Sequence, residues 1–278
     1  MFVPRDNKPI DFKGFTLIYP ALSVGNVAQL MADLLISTMT MHKVGYIQHP
    51  SLIPLVGNDP YAHPSATTCK VVTCCEVYDS VEHNVVIVQQ RSPFIKGRRN
   101  AYKKWLAQWI RECGFSKVVI ATSSSADERL DTQITGPQFR FVASDKIEAD
   151  YGEMFRNFYE WDELERRQTF PAPSVLEAGD RGQGQLYIPG GGIAMALFND
   201  LCSDTPVVLL LMFCSEGDNI PEAIELTNRI NRWLGLILFH SRSIADASDV
   251  GVVKYTQWKI PVSWKLFFGS RFDQTLFH

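Results

Sequence analysis

The chain has 278 residues, of which 46% are hydrophobic and 21% charged, a balance that can bury enough apolar surface to offset the entropy of ordering and that excludes a disordered, collagen-like or low-complexity chain. Lys plus Arg is 27 and Asp plus Glu is 30, so the formal charge is −3 and no global positive field recruits a polyanion; nucleic acid is not expected as the main partner. The length admits one large domain or two small ones, and with no change of composition along the chain the reading is a single domain over 1–278.

Phe15 to Tyr19 is short, apolar and β-prone and is ended by Pro20, after which Val24, Val27, Ala28, Met31 and Leu35 recur at helical spacing. Val44 to Ile47 predicts the next strand. Val71 to Tyr78 and Val85 to Gln90, separated by the polar turn Asp79 to Asn84, predict an antiparallel hairpin. Tyr102, Trp105, Leu106, Trp109, Ile110 and Cys113 mark one face of a helix that Gly114 stops, and Val118 to Ala121 resumes a strand.

Around Trp161 to Gln168 the pairs Asp162–Arg166 and Glu163–Arg167 lie four apart, the spacing of a solvated helix. Pro171 to Gln185, rich in Pro, Gly and Ala, reads as a surface loop, with a strand expected at Leu186 to Ile188. Val207 to Phe213 is too short for a typical helix and too apolar for a half-exposed strand, which predicts a central strand buried on both faces. A helix follows, capped by Asp218 or Asn219, with Pro221 and Glu222 in its first turn and a buried stripe from Ile220 through Ala223, Ile224, Thr227, Ile230 and Leu234 to Ile237 and Leu238. Such alternation predicts an α/β sheet with helices on both faces, mostly parallel with one antiparallel hairpin.

The apolar run Val207 to Cys214 is far below the ~20 residues that span a bilayer, and Met1 to Asp11 lacks a signal-like apolar stretch, so no membrane partner is expected and the cytoplasm and nucleus are the expected location. Six cysteines without an Asn-x-Ser/Thr sequon fit reduced thiols, with Cys74 and Cys75 as ordinary strand residues.

Gly190, Gly191 and Gly192 sit between a strand and a helix, where bare amides can cradle a phosphate; a tight turn needs glycine too, and neither the dinucleotide fingerprint nor the Walker sequence is complete. Ser215, Glu216, Gly217 and Asp218 follow the presumed central strand, the usual ligand end of an open α/β sheet, yet Gly217 and Asp218 are accounted for by the turn and the cap, and no histidine is near to complete a nucleophile. A small-molecule hydrolase or transferase using the 190–192 turn with Ser215 and Glu216 is the alternative reading. The six histidines are scattered from His42 to His278 without metal-site spacing, and no catalytic residue, cofactor or metal is expected. Lys96, Arg98, Arg99, Lys103 and Lys104 form a basic cluster that could meet phosphates or an acidic partner, although a basic loop opening a helix is usually a solvated face. Trp258, Trp264, Phe267, Phe268, Phe272 and Phe277 crowd a tail spanning about 256–278 that either packs on the sheet or anchors a partner.

The segments Gly14–Val27, Pro54–Tyr61, Ile188–Ile193, Ser215–Pro221 and Trp258–Trp264 resemble, in order and at compatible spacing over almost the whole chain, the proteasome assembly chaperone family. The resemblance implies a three-layer α/β/α sandwich similar to nucleoside phosphorylases and a non-enzymatic chaperone of 20S proteasome assembly. It also implies a heterodimer with proteasome assembly chaperone 1 that binds proteasome alpha subunits, notably alpha 5 and alpha 7, promotes alpha-ring formation and prevents off-pathway alpha-ring dimers. Family members dock a C-terminal hydrophobic-Tyr-X tail between alpha subunits. Leu276, Phe277 and His278 occupy those places here, with Phe where the family has Tyr.

Overall fold

A computed structural model describes residues 1–166, apart from His63, Pro64, Ala66 and Cys69, together with residues 186–238 and 257–266, and the described residues form ten strands and six α-helices. The strands are β1 (Phe2–Pro4), β2 (Thr16–Pro20), β3 (His42–Ile47), β4 (Val56–Asn58), β5 (Val71–Thr73), β6 (Cys75–Ser80), β7 (Val85–Gln90), β8 (Lys117–Ser125), β9 (Phe139–Ala143) and β10 (Val207–Cys214). The helices are α1 (Val27–Thr38), α2 (Arg99–Cys113), α3 (Asp131–Ile134), α4 (Asp145–Glu153), α5 (Ala194–Leu201) and α6 (Ile220–Leu234).

Eight strands form one sheet in the order β1-β3-β6-β7-β2-β8-β10-β9. Its centre, β7-β2-β8-β10, is parallel, and antiparallel pairs extend it on both sides. The hairpin expected from residues 71–90 is β6–β7, paired from Cys75↔Gln90 to Ser80↔Val85. Its first strand splits before Cys75, and β5 leaves to pair with β4 as a separate ribbon.

Period 2 sorts the side chains of β10 into two layers. Val208, Leu210, Met212 and Cys214 join the core under α1, α4 and α6, whereas Val207, Leu209, Leu211 and Phe213 join the core under α2 and α5. All eight residues are buried, as expected of a strand covered on both faces, although β10 lies beside the edge strand β9 and not at the centre. Helices therefore cover both faces of the sheet. Left-handed glycines close α2 at Gly114 (φ 63°) and α6 at Gly235 (φ 63°). The stop at Gly235 leaves Ile237 half-buried and Leu238 exposed, so the buried stripe of α6 ends earlier than its spacing predicts.

Two expected elements are absent. Residues 161–166 form no helix: Trp161 and Leu164 are buried, the Phe141 amide donates to the Asp162 carbonyl at 3.0 Å, and the Leu164 amide donates to the Phe141 carbonyl at 2.9 Å. The segment covers the outer edge of β9, and its acids pair across the chain, Asp162 with Arg140 and Glu163 with Arg156. Residues 186–188 are not a strand either: the Ile188 carbonyl accepts the Gly191 amide at 3.2 Å and opens the glycine turn. The loop assigned to Pro171–Gln185 and the tail residues Leu276, Phe277 and His278 lie outside the described residues.

Candidate functional site

The parallel strands β2, β7, β8 and β10 all end on one side of the sheet, so the loops after them converge there. Small polar residues at the end of β8 bind this layer together. Ser123 and Ser23 hydroxyls are 2.7 Å apart, and the Ser123 amide donates to Ser23 Oγ at 3.1 Å. Thr122 Oγ1 donates to the Gly191 carbonyl at 3.1 Å and Ser124 Oγ to the Pro189 carbonyl at 2.7 Å, while the Val24 amide donates to the Gly190 carbonyl at 3.1 Å.

The glycine turn is thus packed from both sides. Gly190 (φ 75°) and Gly192 (φ 65°) take left-handed backbone, and a Cβ at Gly192 would fall on the carbonyl oxygen of Leu22, well inside van der Waals contact. Close approach of the 21–24 loop explains these glycines, and the Gly191 amide donates to the Ile188 carbonyl at 3.2 Å within the turn.

Ser215, Glu216, Gly217 and Asp218 are exposed and line a cleft of about 490 Å3 between the amino ends of α1 and α6, with Val24, Gly25, Asn26 and Leu30 as the opposite wall. Asp218 Oδ1 accepts the Ile220 amide at 3.0 Å, so Asp218 does the capping, whereas Asn219, buried at the cap position, turns its Nδ2 to the Gly217 carbonyl at 3.2 Å. The described histidines sit elsewhere: His49 packs on Tyr102 and Trp105, His83 bonds Ser80, and His42 lies opposite Asp79 in the ladder. The cleft thus holds a hydroxyl and carboxylates with no histidine beside them among the described residues.

A buried polar cluster went unread in the sequence. Asp33 of α1, buried against β7, accepts at one oxygen from Arg91 Nη2 (2.8 Å), Tyr61 hydroxyl (2.6 Å) and Gln89 Nε2 (2.7 Å). Burial works against the Arg91 charge, and Asp33 with Tyr61 more than restores it, holding the guanidinium above its ordinary pKa. Burial and then Asp33 push the Tyr61 hydroxyl well above its usual range, which keeps it a donor. Tyr61 also sits on the segment that receives the C-terminal stretch: the Ser263 amide donates to the Pro60 carbonyl at 3.4 Å, and Trp264 is buried. Trp258 is buried too and donates from Nε1 to Asn228 of α6 at 2.8 Å. These two aromatics pack on the domain, which fixes the root of the tail. Phe267, Phe268, Phe272 and Phe277 lie outside the described residues.

Of the basic cluster, Lys103 pairs with Asp200 at 2.7 Å, and Lys96, Arg98, Arg99 and Lys104 are exposed. Among the described residues no helix is long and apolar enough to cross a membrane.

The five resemblance segments now have places. Gly14–Val27 and Ser215–Pro221 form the cleft, Ile188–Ile193 is the packed turn above β8, and Pro54–Tyr61 and Trp258–Trp264 meet at Pro60. A family model described as PAC2 family matches residues 17–236. The chain belongs to the PAC2 family. Its PAC2-family relatives include the Danio rerio protein named proteasome assembly chaperone 2, 39% identical over 278 residues with both chains fully covered. The Homo sapiens protein of the same name is 36% identical over 278 residues, again with full coverage of both. The Nematostella vectensis one is 40% identical over 243 residues, covering 84% of this chain and 96% of the relative. Two solved PAC2-like structures from Pyrococcus furiosus share the fold at 13% identity: PbaA, described as an archaeal homolog of proteasome-assembly chaperone (TM-score 0.57, 86% of this chain and 87% of the other), and PbaB, described as an archaeal proteasome activator (TM-score 0.56, 86% and 90%).

Proposed function

We propose that this chain acts, as one folded unit over 1–278, as a chaperone of 20S proteasome assembly in the cytoplasm and nucleus. In this reading it pairs with proteasome assembly chaperone 1, and the pair binds proteasome alpha subunits, notably alpha 5 and alpha 7, promotes alpha-ring formation and blocks off-pathway alpha-ring dimers. The observation that carries the proposal is end-to-end similarity to relatives named proteasome assembly chaperone 2. The strand-end polar groups support it from chemistry: Thr122, Ser123 and Ser124 hydroxyls are spent on loop carbonyls and on Ser23, where an enzyme of this architecture would turn them to a ligand. The chain is read as a scaffold, without catalytic residues, cofactor or metal.

Affinity purification from cells, followed by mass spectrometry and native mass measurement, tests this. Co-purifying alpha subunits and a second chaperone of the family are the expected result. A clean monomer carrying a metabolite would favour a small-molecule enzyme using the 190–192 turn with Ser215 and Glu216 and would overturn the proposal.

A further inference from the structure

Residues 91–104 carry six cations and no Asp or Glu, in a chain whose formal charge is −3. The fold neutralises two of them, Arg91 with Asp33 and Lys103 with Asp200. Lys96, Arg98 and Arg99 stay exposed and pair with no described acid. Arg98 is the N-cap residue of α2 and Arg99 begins its first turn, which holds no acid. Cations there oppose the helix dipole, so the stability of α2 does not account for them.

An apolar surface adjoins these charges. Ile53, Pro54, Leu55 and Val56 are four consecutive exposed residues, a run that a solvated surface does not explain. Pairing of Leu52 with Phe94, with the Ile95 amide donating to the Ser51 carbonyl at 2.8 Å and the Ile53 amide to the Pro93 carbonyl at 3.2 Å, brings this run against the basic segment. In the β4–β5 ribbon, Val72 points inward and is buried, while Val56 (73% exposed) and Val71 (50% exposed) point outward. Phe94, Ile95, Lys96, Gly97, Arg99 and Asn100 wall an open hollow of about 370 Å3 beside it.

We propose that the β4–β5 ribbon, residues 53–56 and the Lys96–Arg99 turn form one docking surface for an acidic segment bearing aliphatic side chains on a proteasome alpha subunit; this rests on the assembly-chaperone reading. The apolar centre supplies anchors and the basic rim supplies steering and register. A permanent heterodimer seam is larger and more apolar than this charge-rich surface, whose composition suits a contact that forms quickly and is later released. Nucleic acid is disfavoured because the exposed centre is aliphatic and offers no stacking platform.

The test uses the full-length chain co-expressed with proteasome assembly chaperone 1. Two variants are compared with the unmodified pair for binding to purified alpha-ring intermediates at 50 and 300 mM salt: Lys96→Glu/Arg98→Glu/Arg99→Glu, and Val56→Asp/Val71→Asp. Acids at the amino end of α2 favour the helix, so the first variant keeps its fold, and melting curves check both. The charge variant is expected to bind about tenfold more weakly at 50 mM, with the gap narrowing at 300 mM as screening increases. The apolar variant is expected to bind about three- to tenfold more weakly at both salts. Equal binding by variants and unmodified pair overturns the surface and leaves the chaperone reading standing. Loss of pairing with chaperone 1, with alpha-ring binding otherwise kept, overturns it too, since the surface is then the seam between chaperones. No alpha-ring binding by the unmodified pair overturns the chaperone reading and this surface with it.

Discussion

Replacing Arg91 by Met tests the cluster that ties β7, α1 and the Tyr61 segment together. Met keeps most of the apolar stem and removes the charge, so Asp33 is left buried with two neutral donors, Tyr61 and Gln89. Removing one member of a fully buried ion pair costs about 3–5 kcal/mol. The Arg91 side chain is 20% exposed and the Asp33 side chain 7%, so partial solvent screening and the remaining donors reduce the expected loss to about 2–4 kcal/mol. In a chain of this size that lowers the melting temperature by about 5–15 °C. Adding Asp33→Asn to the Arg91→Met protein removes the stranded charge while leaving an acceptor for both donors, so at least about 1 kcal/mol should return. Urea titration followed by tryptophan fluorescence and far-UV circular dichroism measures both, provided the two transitions coincide. A loss below about 1 kcal/mol for Arg91→Met, or a further loss on adding Asp33→Asn, would refute the reasoning that an uncompensated buried charge sets the cost.

Four other outcomes are expected. Gly192→Ala should fail to give folded protein, because it adds a Cβ against the Leu22 carbonyl at a left-handed position; Gly191→Ala, whose Cβ would meet the Ile188 side chain at 2.5 Å without a positive φ, should fold with a smaller loss, as solubility and melting curves can show. Ser215→Ala/Glu216→Ala should bind alpha subunits as the unmodified chain does, and a folded double variant unable to support alpha-ring assembly would contradict the scaffold reading. Burial, then Glu112 and Asp11, push the Cys113 thiol up to about 12, and burial raises Cys75 well above its ordinary value; both should resist iodoacetamide at pH 8 until urea is added, which peptide mass spectrometry resolves. Deleting Leu276, Phe277 and His278 should weaken binding of the heterodimer to alpha rings about threefold to thirtyfold with pairing to chaperone 1 unchanged, since a short tail binds mainly through its tethering; equal affinity in a competition assay would mean the tail is idle.

What could be read from the sequence were the elements whose cause is local. The apolar run of β10, the 3.6 spacing of α2 and α6 and the stop at Gly114 all follow from residues within a turn or two of one another, and they stand where expected; the stop at Gly235 does not, since the spacing carries the α6 stripe on to Ile237 and Leu238. The misreadings share a different origin. Asp162 and Arg166 have helical spacing, but Asp162 answers Arg140, a buried arginine in β9 that also engages Glu165 and so recruits the segment as a strap along the edge. Nothing within four residues of Asp162 announces that partner. The site divides in the same way. Its glycine turn and the Asp218 cap were legible as backbone chemistry, whereas the assignment of positive φ to Gly190 and Gly192 and not to Gly191 depends on the 21–24 loop that packs above them. Asp33 and Arg91 lie 58 positions apart, and each looks alone like an ordinary surface charge. Their pairing explains why Arg91 drops out of the basic segment while Lys96, Arg98 and Arg99 do not, since of these four Arg91 alone pairs with a buried carboxylate among the described residues. A charge run in sequence therefore becomes a surface only after the fold has subtracted the members it uses itself, and the cations left beside the exposed 53–56 run are those that α2 has no stabilising use for.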